Sequence, residues 1–259
     1  ETTTALSYDW ASPILTTTVS ASTQIEFEGK KIAIYNAIPV TFDGQFLDDF
    51  DAGLKSGWIE HPRSSSGSSR WVVDVGKYKT REIGDNNSIN GCEQLRNYEV
   101  LVNVQKKGDH AQGNYFGLIL RSPSDLKFAS RGYYMVRVIC FSCDGANPEN
   151  HRYRLELVDK QGLFDNVLTS VDLEPSKFSF NTEEDYTLKA IVTDDVLIAK
   201  FWKSTELEPS DVPADTPKPE DPPDPARNGR TIEAHSSSYS QGKVGVTSNT
   251  NINTFDNFS

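Results

Sequence analysis

Residues 97–121 read NYEVLVNVQKKGDHAQGNYFGLILR. Tyr98, Val100, Val102 and Val104 recur at every second position, and a strand with period 2 puts those four side chains on one face. Asn114–Arg121 is a second β-rich run, reached across a Gly/Asp/His turn. The pattern spreads outward from this pair. Tyr133–Phe141 (YYMVRVICF) and Tyr153–Val158 (YRLELV) follow, the latter with Tyr153, Leu155 and Leu157 on one face. Residues 186–192 and 196–202 flank Thr193-Asp194-Asp195, the signature of a compact hairpin. Residues 70–75, 242–247 and 254–258 add further runs. No segment offers a convincing amphipathic helix, and 122–131 holds a helical turn at most. Many short strands separated by Gly, Asp and Asn turns predict an all-β, two-sheet antiparallel sandwich.

The flanks read differently. Residues 1–23 are rich in Thr, Ser and Ala, and 24–42 hold two strand runs around Glu28-Gly29-Lys30. Residues 1–41 are therefore expected to be a leader with edge strands, and 42–259 the sandwich. Glu206–Pro225 contains seven of the thirteen prolines, seven acidic residues and one lysine. Proline lacks the amide donor a ladder needs, so an extended, solvated excursion is predicted over about 206–241. The polar stretches 61–70 and 84–92 read as loops.

The 259 residues carry 37 acidic against 26 basic side chains, a net charge of -11, of which the 206–225 segment supplies -6. This balance argues against a nucleic-acid partner, whose binders cluster Lys and Arg on one face. No apolar run approaches the roughly 18 residues a membrane helix needs, so no membrane insertion is expected. The chain begins at Glu1 without methionine or signal sequence, as a processed or excised segment would. Three cysteines leave alternatives open. Cys140 and Cys143 have the spacing of a structural disulfide, a redox dithiol or half a zinc site completed by Cys92 with His110 or His151. Asn86-Asn87-Ser88 and Asn257-Phe258-Ser259 are sequons.

The order of motifs resembles laminin-G-like domains of the concanavalin A-like lectin/glucanase superfamily. It runs from Asp48-Asp49-Phe50, Gly57-Trp58 and Trp71-Val72-Val73, through the central runs quoted above, to Gly242–Val246 and Phe255–Phe258. The resemblance implies an antiparallel jelly-roll with the first and last strands side by side. It further implies a structural calcium on Asp49 and Asp256, with Asp48 as a weaker candidate, because facing carboxylates repel unless a cation lies between them.

The glucanase relatives carry a strand of alternating carboxylates, and retaining chemistry needs such a pair about 5–5.5 Å apart. Glu26 with Glu28 lies outside the resembling region, and Glu156 with Asp159 falls on opposite faces of a strand. That signature is missing. A lyase would need a Tyr or His base with a neutralising cation, and Tyr134, Tyr153, His151, Arg137 and Arg154 supply the types. The leading expectation is a non-catalytic carbohydrate-binding or adhesion module, extracellular or on a cell surface. Trp58, Trp71, Tyr115 and Tyr134 would pack on sugar rings, and Arg137, Arg154 and Glu156 would meet hydroxyls. Polysaccharide-degrading enzymes and protein-interaction domains on the same fold remain the alternatives.

Overall fold

The computed structural model describes residues 46–53, 57–61, 70–123, 132–143, 151–162, 164–173, 180–209 and 230–259, with the backbone of four strands before them. The chain divides into two compact units, Glu1–Leu47 and Asp48–Ser259. In the first, β1 (Thr4–Asp9) pairs with β2 (Ile14–Val19), and β3 (Ala21–Phe27) with β4 (Lys30–Tyr35), as two antiparallel hairpins. Glu28 and Gly29 of the predicted turn lie outside the described residues.

The second unit is the sandwich. Its strands in chain order are β5 (Ile59–His61), β6 (Trp71–Asp74), β7 (Lys77–Thr80), β8 (Asn86–Asn90), β9 (Tyr98–Lys106), β10 (Tyr115–Ser122) and β11 (Tyr133–Ser142). There follow β12 (Arg152–Gln161), β13 (Phe164–Leu173), β14 (Asp185–Thr193), β15 (Val196–Lys203), β16 (Arg230–His235), β17 (Lys243–Ser248) and β18 (Asn253–Asp256). One seven-stranded sheet has the order β13-β12-β11-β10-β17-β8-β5, the other β16-β15-β14-β9-β18-β7-β6. All named pairings are antiparallel, and the described residues contain no helix.

Alternation builds the core. Phe116, Leu118, Tyr134, Val136, Leu155 and Leu157 from the first sheet are wholly buried, as are Val102, Val104, Leu188, Ala199 and Phe201 from the second. The first and last segments meet as the jelly-roll order demands. Asp48 N donates to Phe258 O at 2.8 Å and Phe258 N to Asp48 O at 3.0 Å.

Two readings need correction. The stretch 84–92 is no loop. Asn86–Asn90 is a fully buried strand inside the first sheet. Its polar side chains are all engaged. Asn86 Nδ2 donates to Glu82 O at 3.0 Å, and Thr247 Oγ1 donates to Asn87 Oδ1 at 2.6 Å. Ser88 Oγ and Tyr78 OH share a 2.7 Å bond. Paired polar groups cost little to bury, so composition conceals the strand. The Asn86 sequon is thus closed within the sheet. Second, the predicted excursion at 206–241 contains β16, which pairs with β15 from Val196↔His235 to Phe201↔Arg230. Its proline-rich part, 210–229, lies outside the described residues. Where the excursion leaves the sheet, Glu208 Oε1 takes Lys200 Nζ at 2.6 Å and Lys189 Nζ at 3.1 Å. Of the alternatives left open for the cysteines, the structure shows a disulfide between Cys140 and Cys143 with Cys92 free, so the thiols a zinc site would need are consumed.

Candidate functional site

The outer face of the first sheet gathers four of the seven residues expected to bind ligand. Cross-strand register places His61, Asn87, Thr247, Gly117, Arg137, Glu156 and Ser170 in one row running from β5 to β13. The adjoining row is Ile59, Ile89, Gly245, Ile119, Met135, Val158 and Val167, apolar throughout apart from glycine. On the other side run Tyr115, Ile139, Arg154 and Asp172. The face is therefore striped, polar on apolar. Gly117 sits where no side chain fits, since a Cβ there would meet Val136 O at 2.0 Å.

Arg137 organises the polar row. Its Nε donates to Glu156 Oε2 at 2.8 Å and its Nη1 to Asp165 Oδ2 at 2.6 Å. Its guanidinium lies 5.6 Å from the centre of the Tyr115 ring. The Tyr115 hydroxyl donates to Asp85 Oδ1 at 2.9 Å. The side chains of Arg137 and Glu156 keep only 10% and 7% of their surface, so this is a floor. Burial works against the Asp165 charge, but Lys160 and Arg137 outweigh it and hold the carboxyl below its ordinary value.

Toward β13 the row opens. Arg154 stacks on Phe141, its Cζ 4.3 Å from the ring centre, and its Nε donates to Asp172 Oδ1 at 2.6 Å. Its Nη1 stands 4.0 Å from Glu156 Oε1. Arg154 is one-third exposed and Asp172 about half, at 33% and 53%. An oriented guanidinium, a carboxylate and an aromatic ring at an open edge offer donors, an acceptor and an apolar plane together. Asp165, Asp172 and Phe141 were not among the expected residues.

The other three expected residues are elsewhere, and their roles are corrected. Trp71 is buried, stacked 4.9 Å from Tyr78, and presents no surface for a sugar. Tyr134 is wholly buried on the inner face, where its hydroxyl donates to Ser236 O and receives Tyr239 N at 3.1 Å. It ties down the segment before β17. Trp58 packs 5.0 Å from Phe258 and 5.3 Å from Tyr78. Its Nε1 donates to Asp48 Oδ2 at 2.9 Å, so it closes the chain ends.

The carboxylates assigned to calcium do not converge. Asp48 is wholly buried, one oxygen receiving Trp58 and the other Phe50 N at 3.1 Å. Asp49 is half-buried. Asp256 lies 3.7 Å from Lys77 Nζ, which also reaches Asp185 Oδ1 at 3.4 Å. Burial, and then Asp51 and Asp185, hold the Asp256 carboxyl above its ordinary value, with the Asn257 amide and Lys77 opposing. Among the described residues no three His, Cys, Asp or Glu side chains are placed to share a metal ion. A lysine and an indole meet the charge that calcium was expected to meet. Lys77→Met is therefore expected to lower the melting temperature by a few degrees at low salt, and an unchanged thermal melt in that variant would contradict the role given to Lys77.

Neither a protein-family model nor a curated protein sequence matches the chain. Solved structures do. The CBM2 module of the Lactobacillus casei BL23 phage J-1 evolved Dit superposes with a TM-score of 0.51 at 9% identity, over 82% of this chain and 92% of that one. The fold is an all-β, two-sheet antiparallel jelly-roll sandwich. The GH43 protein BlXynB of Bacillus licheniformis gives 0.52 at 13% identity, over 95% of this chain but only 46% of that one. The calcium-bound VIP36 exoplasmic/lumenal domain gives 0.49 at 11% identity, covering 80% and 84%. The first two likenesses, remote as they are, establish architecture. They do not carry the finer laminin-G-like assignment or any ligand.

Proposed function

We propose that the sandwich is a non-catalytic carbohydrate-binding module whose ligand lies on the open, β12–β13 side of the striped face. One observation carries this reading: Arg154 stacked on Phe141 and bonded to Asp172, next to a floor that Arg137 keeps rigid. Vicinal hydroxyls of a sugar can accept from the guanidinium and donate to the carboxylate while ring C–H groups cover the Phe141 ring. The floor organises this edge and stays out of contact. The CBM2 module of the phage J-1 evolved Dit, alike in architecture, supports the reading.

Catalysis is not supported by the same residues. Hydrolysis of a glycoside needs one carboxyl kept protonated near neutral pH and a second carboxylate facing it. Here Glu156 and Asp165 both bind Arg137, and Asp165 is held ionised. Asp159 is buried and receives the hydroxyls of Tyr239 and Ser238 at 2.8 and 3.0 Å. The Cys140–Cys143 disulfide supports an extracellular or cell-surface setting, where such bonds persist. A protein partner is favoured instead by one observation, the exposure of Phe164 and Val167 on edge strand β13 (79% and 43%).

A glycan array combined with a polysaccharide pull-down tests the proposal. Retention of at least one polysaccharide without release of reducing ends is expected. Release of product would contradict a binding-only role, and silence across a broad panel would favour the protein-partner reading.

A further inference from the structure

His110, in the turn between β9 and β10, is 1% exposed, and its Nε2 lies 2.8 Å from Asn253 Oδ1. Hydrogen-bond directions fix its tautomer. Ser248 Oγ reaches two carbonyls, Thr250 O at 2.7 Å and Tyr115 O at 3.4 Å, so its single proton goes to one of them. Toward Asn253 Nδ2 at 3.3 Å it can only accept. Asn253 therefore turns its nitrogen to Ser248 and its oxygen to His110. His110 Nε2 must carry the proton, and Nδ1 presents a bare lone pair. That nitrogen is buried and meets no partner.

One more polar group nearby is unmet, and one buried charge is only loosely paired. The Tyr153 hydroxyl is buried without a partner, and its ring centre is 5.6 Å from that of His110. Lys106 is 4% exposed, its Nζ lying 5.8 Å from the Tyr153 ring centre and 5.3 Å from that of Phe180. The Asp109 carboxylate is 4.0 Å from it, beyond hydrogen-bond reach. Burial costs His110 Nδ1 and the Tyr153 hydroxyl their water, so each of the two needs a partner.

The three requirements select a chemistry. His110 Nδ1 needs a donor, the Tyr153 hydroxyl needs an acceptor, and the Lys106 ammonium, with Asp109 no nearer than 4.0 Å, has room for one as well. A carboxylate would satisfy the second pair and set its lone pairs against His110. An ammonium would meet Lys106 head on, and an apolar group would serve none of the three. A hydroxyl donates and accepts at once. We propose that Lys106, His110 and Tyr153 form a subsite for one hydroxyl of a carbohydrate or polyol, with the rings of Tyr153 and Phe180 as its apolar wall. The identity of this guest rests on the carbohydrate-binding reading, but the subsite shares no residue with the Arg154 edge.

The test is a long-range 1H–15N NMR titration of the intact chain with D-glucose, D-galactose and glycerol in turn. The expected result is that at least one probe shifts the His110 Nδ1 resonance. Tyr153→Phe, which removes an unpaired hydroxyl and should fold normally, weakens that probe about 3- to 10-fold, the range for one neutral hydrogen bond. Lys106→Met provides the second variant and weakens it similarly. An Nδ1 resonance unmoved by all three probes up to their solubility means water alone occupies the position and overturns the proposal. Equal affinity in wild type and both variants overturns it too. Polysaccharide binding lost only in Arg154→Ala, with the His110 shift intact, leaves both sites standing. A shift at His110 with no polysaccharide retained overturns the Arg154 reading alone.

Discussion

Replacing Arg137 by methionine destabilises the sandwich by about 3 kcal/mol, the lower end of what breaking a buried ion pair costs. For a domain of this size that is a fall of roughly 6–12 °C in melting temperature. Arg137 holds two carboxylates at 2.8 and 2.6 Å. Without it Glu156, 7% exposed, keeps only the Arg154 contact at 4.0 Å, whereas Asp165 retains Lys160 at 2.5 Å. The orphaned charge therefore belongs mainly to Glu156. Adding Glu156→Gln to Arg137→Met should restore part of the loss, because a neutral amide is cheaper to leave underpaired than a carboxylate. Denaturant melts of the two single variants and the double variant measure this. A loss under 1 kcal/mol in Arg137→Met, or no recovery in the double variant, would show that the floor is held by something other than these ion pairs.

The second large effect is on acid stability. His110 is pushed down from 6.5 to about 4, first by burial and then by Lys106 and His151, against the Asn253 hydrogen bond and Asp109. Above pH 6.5 its imidazole is neutral in both folded and unfolded chains and contributes no pH dependence. As pH falls below 6.5 the unfolded chain takes up the proton first, so stability is lost progressively until the folded state also protonates near pH 4. The difference amounts to about 3 kcal/mol over that window. His110→Gln cannot titrate there and should flatten the slope between pH 6.5 and 4.5, whatever its own cost at neutral pH. Urea unfolding at stepped pH gives the comparison. Parallel slopes for wild type and variant would mean that His110 is not kept neutral.

The sequence made the middle of the fold plain because β9 and β12 alternate and β10, β11, β14 and β15 are β-branched or aromatic runs, and both signals are local information. It hid β8, whose Asn and Ser side chains become acceptable in a sheet only through partners on other strands such as Thr247 and Tyr78. The same distinction runs through the site. Arg154 and Glu156 could be placed outward from the inward phase of Tyr153, Leu155 and Leu157. Asp165 and Asp172 could not, because β13 pairs with β12 across a register shift between Leu157 and Val158. Trp58 and Trp71 show the converse failure. An aromatic residue type suits a sugar platform and a core equally, and only the neighbours Phe258 and Tyr78 decide. Likewise the meeting of Asp48 with the last strand follows from jelly-roll order, while the indole and the lysine that neutralise that end do not.

The central claim, that glycan binds at the Arg154–Asp172–Phe141 edge, is tested most directly by titrating a retained oligosaccharide into wild type and Arg154→Ala. Loss of one charged anchor at a polar site should weaken binding about 10-fold or more, with the melting temperature changed by no more than a few degrees. Equal affinity for the two proteins, with the same ligand bound at the same stoichiometry, would contradict the account and move the site off this face.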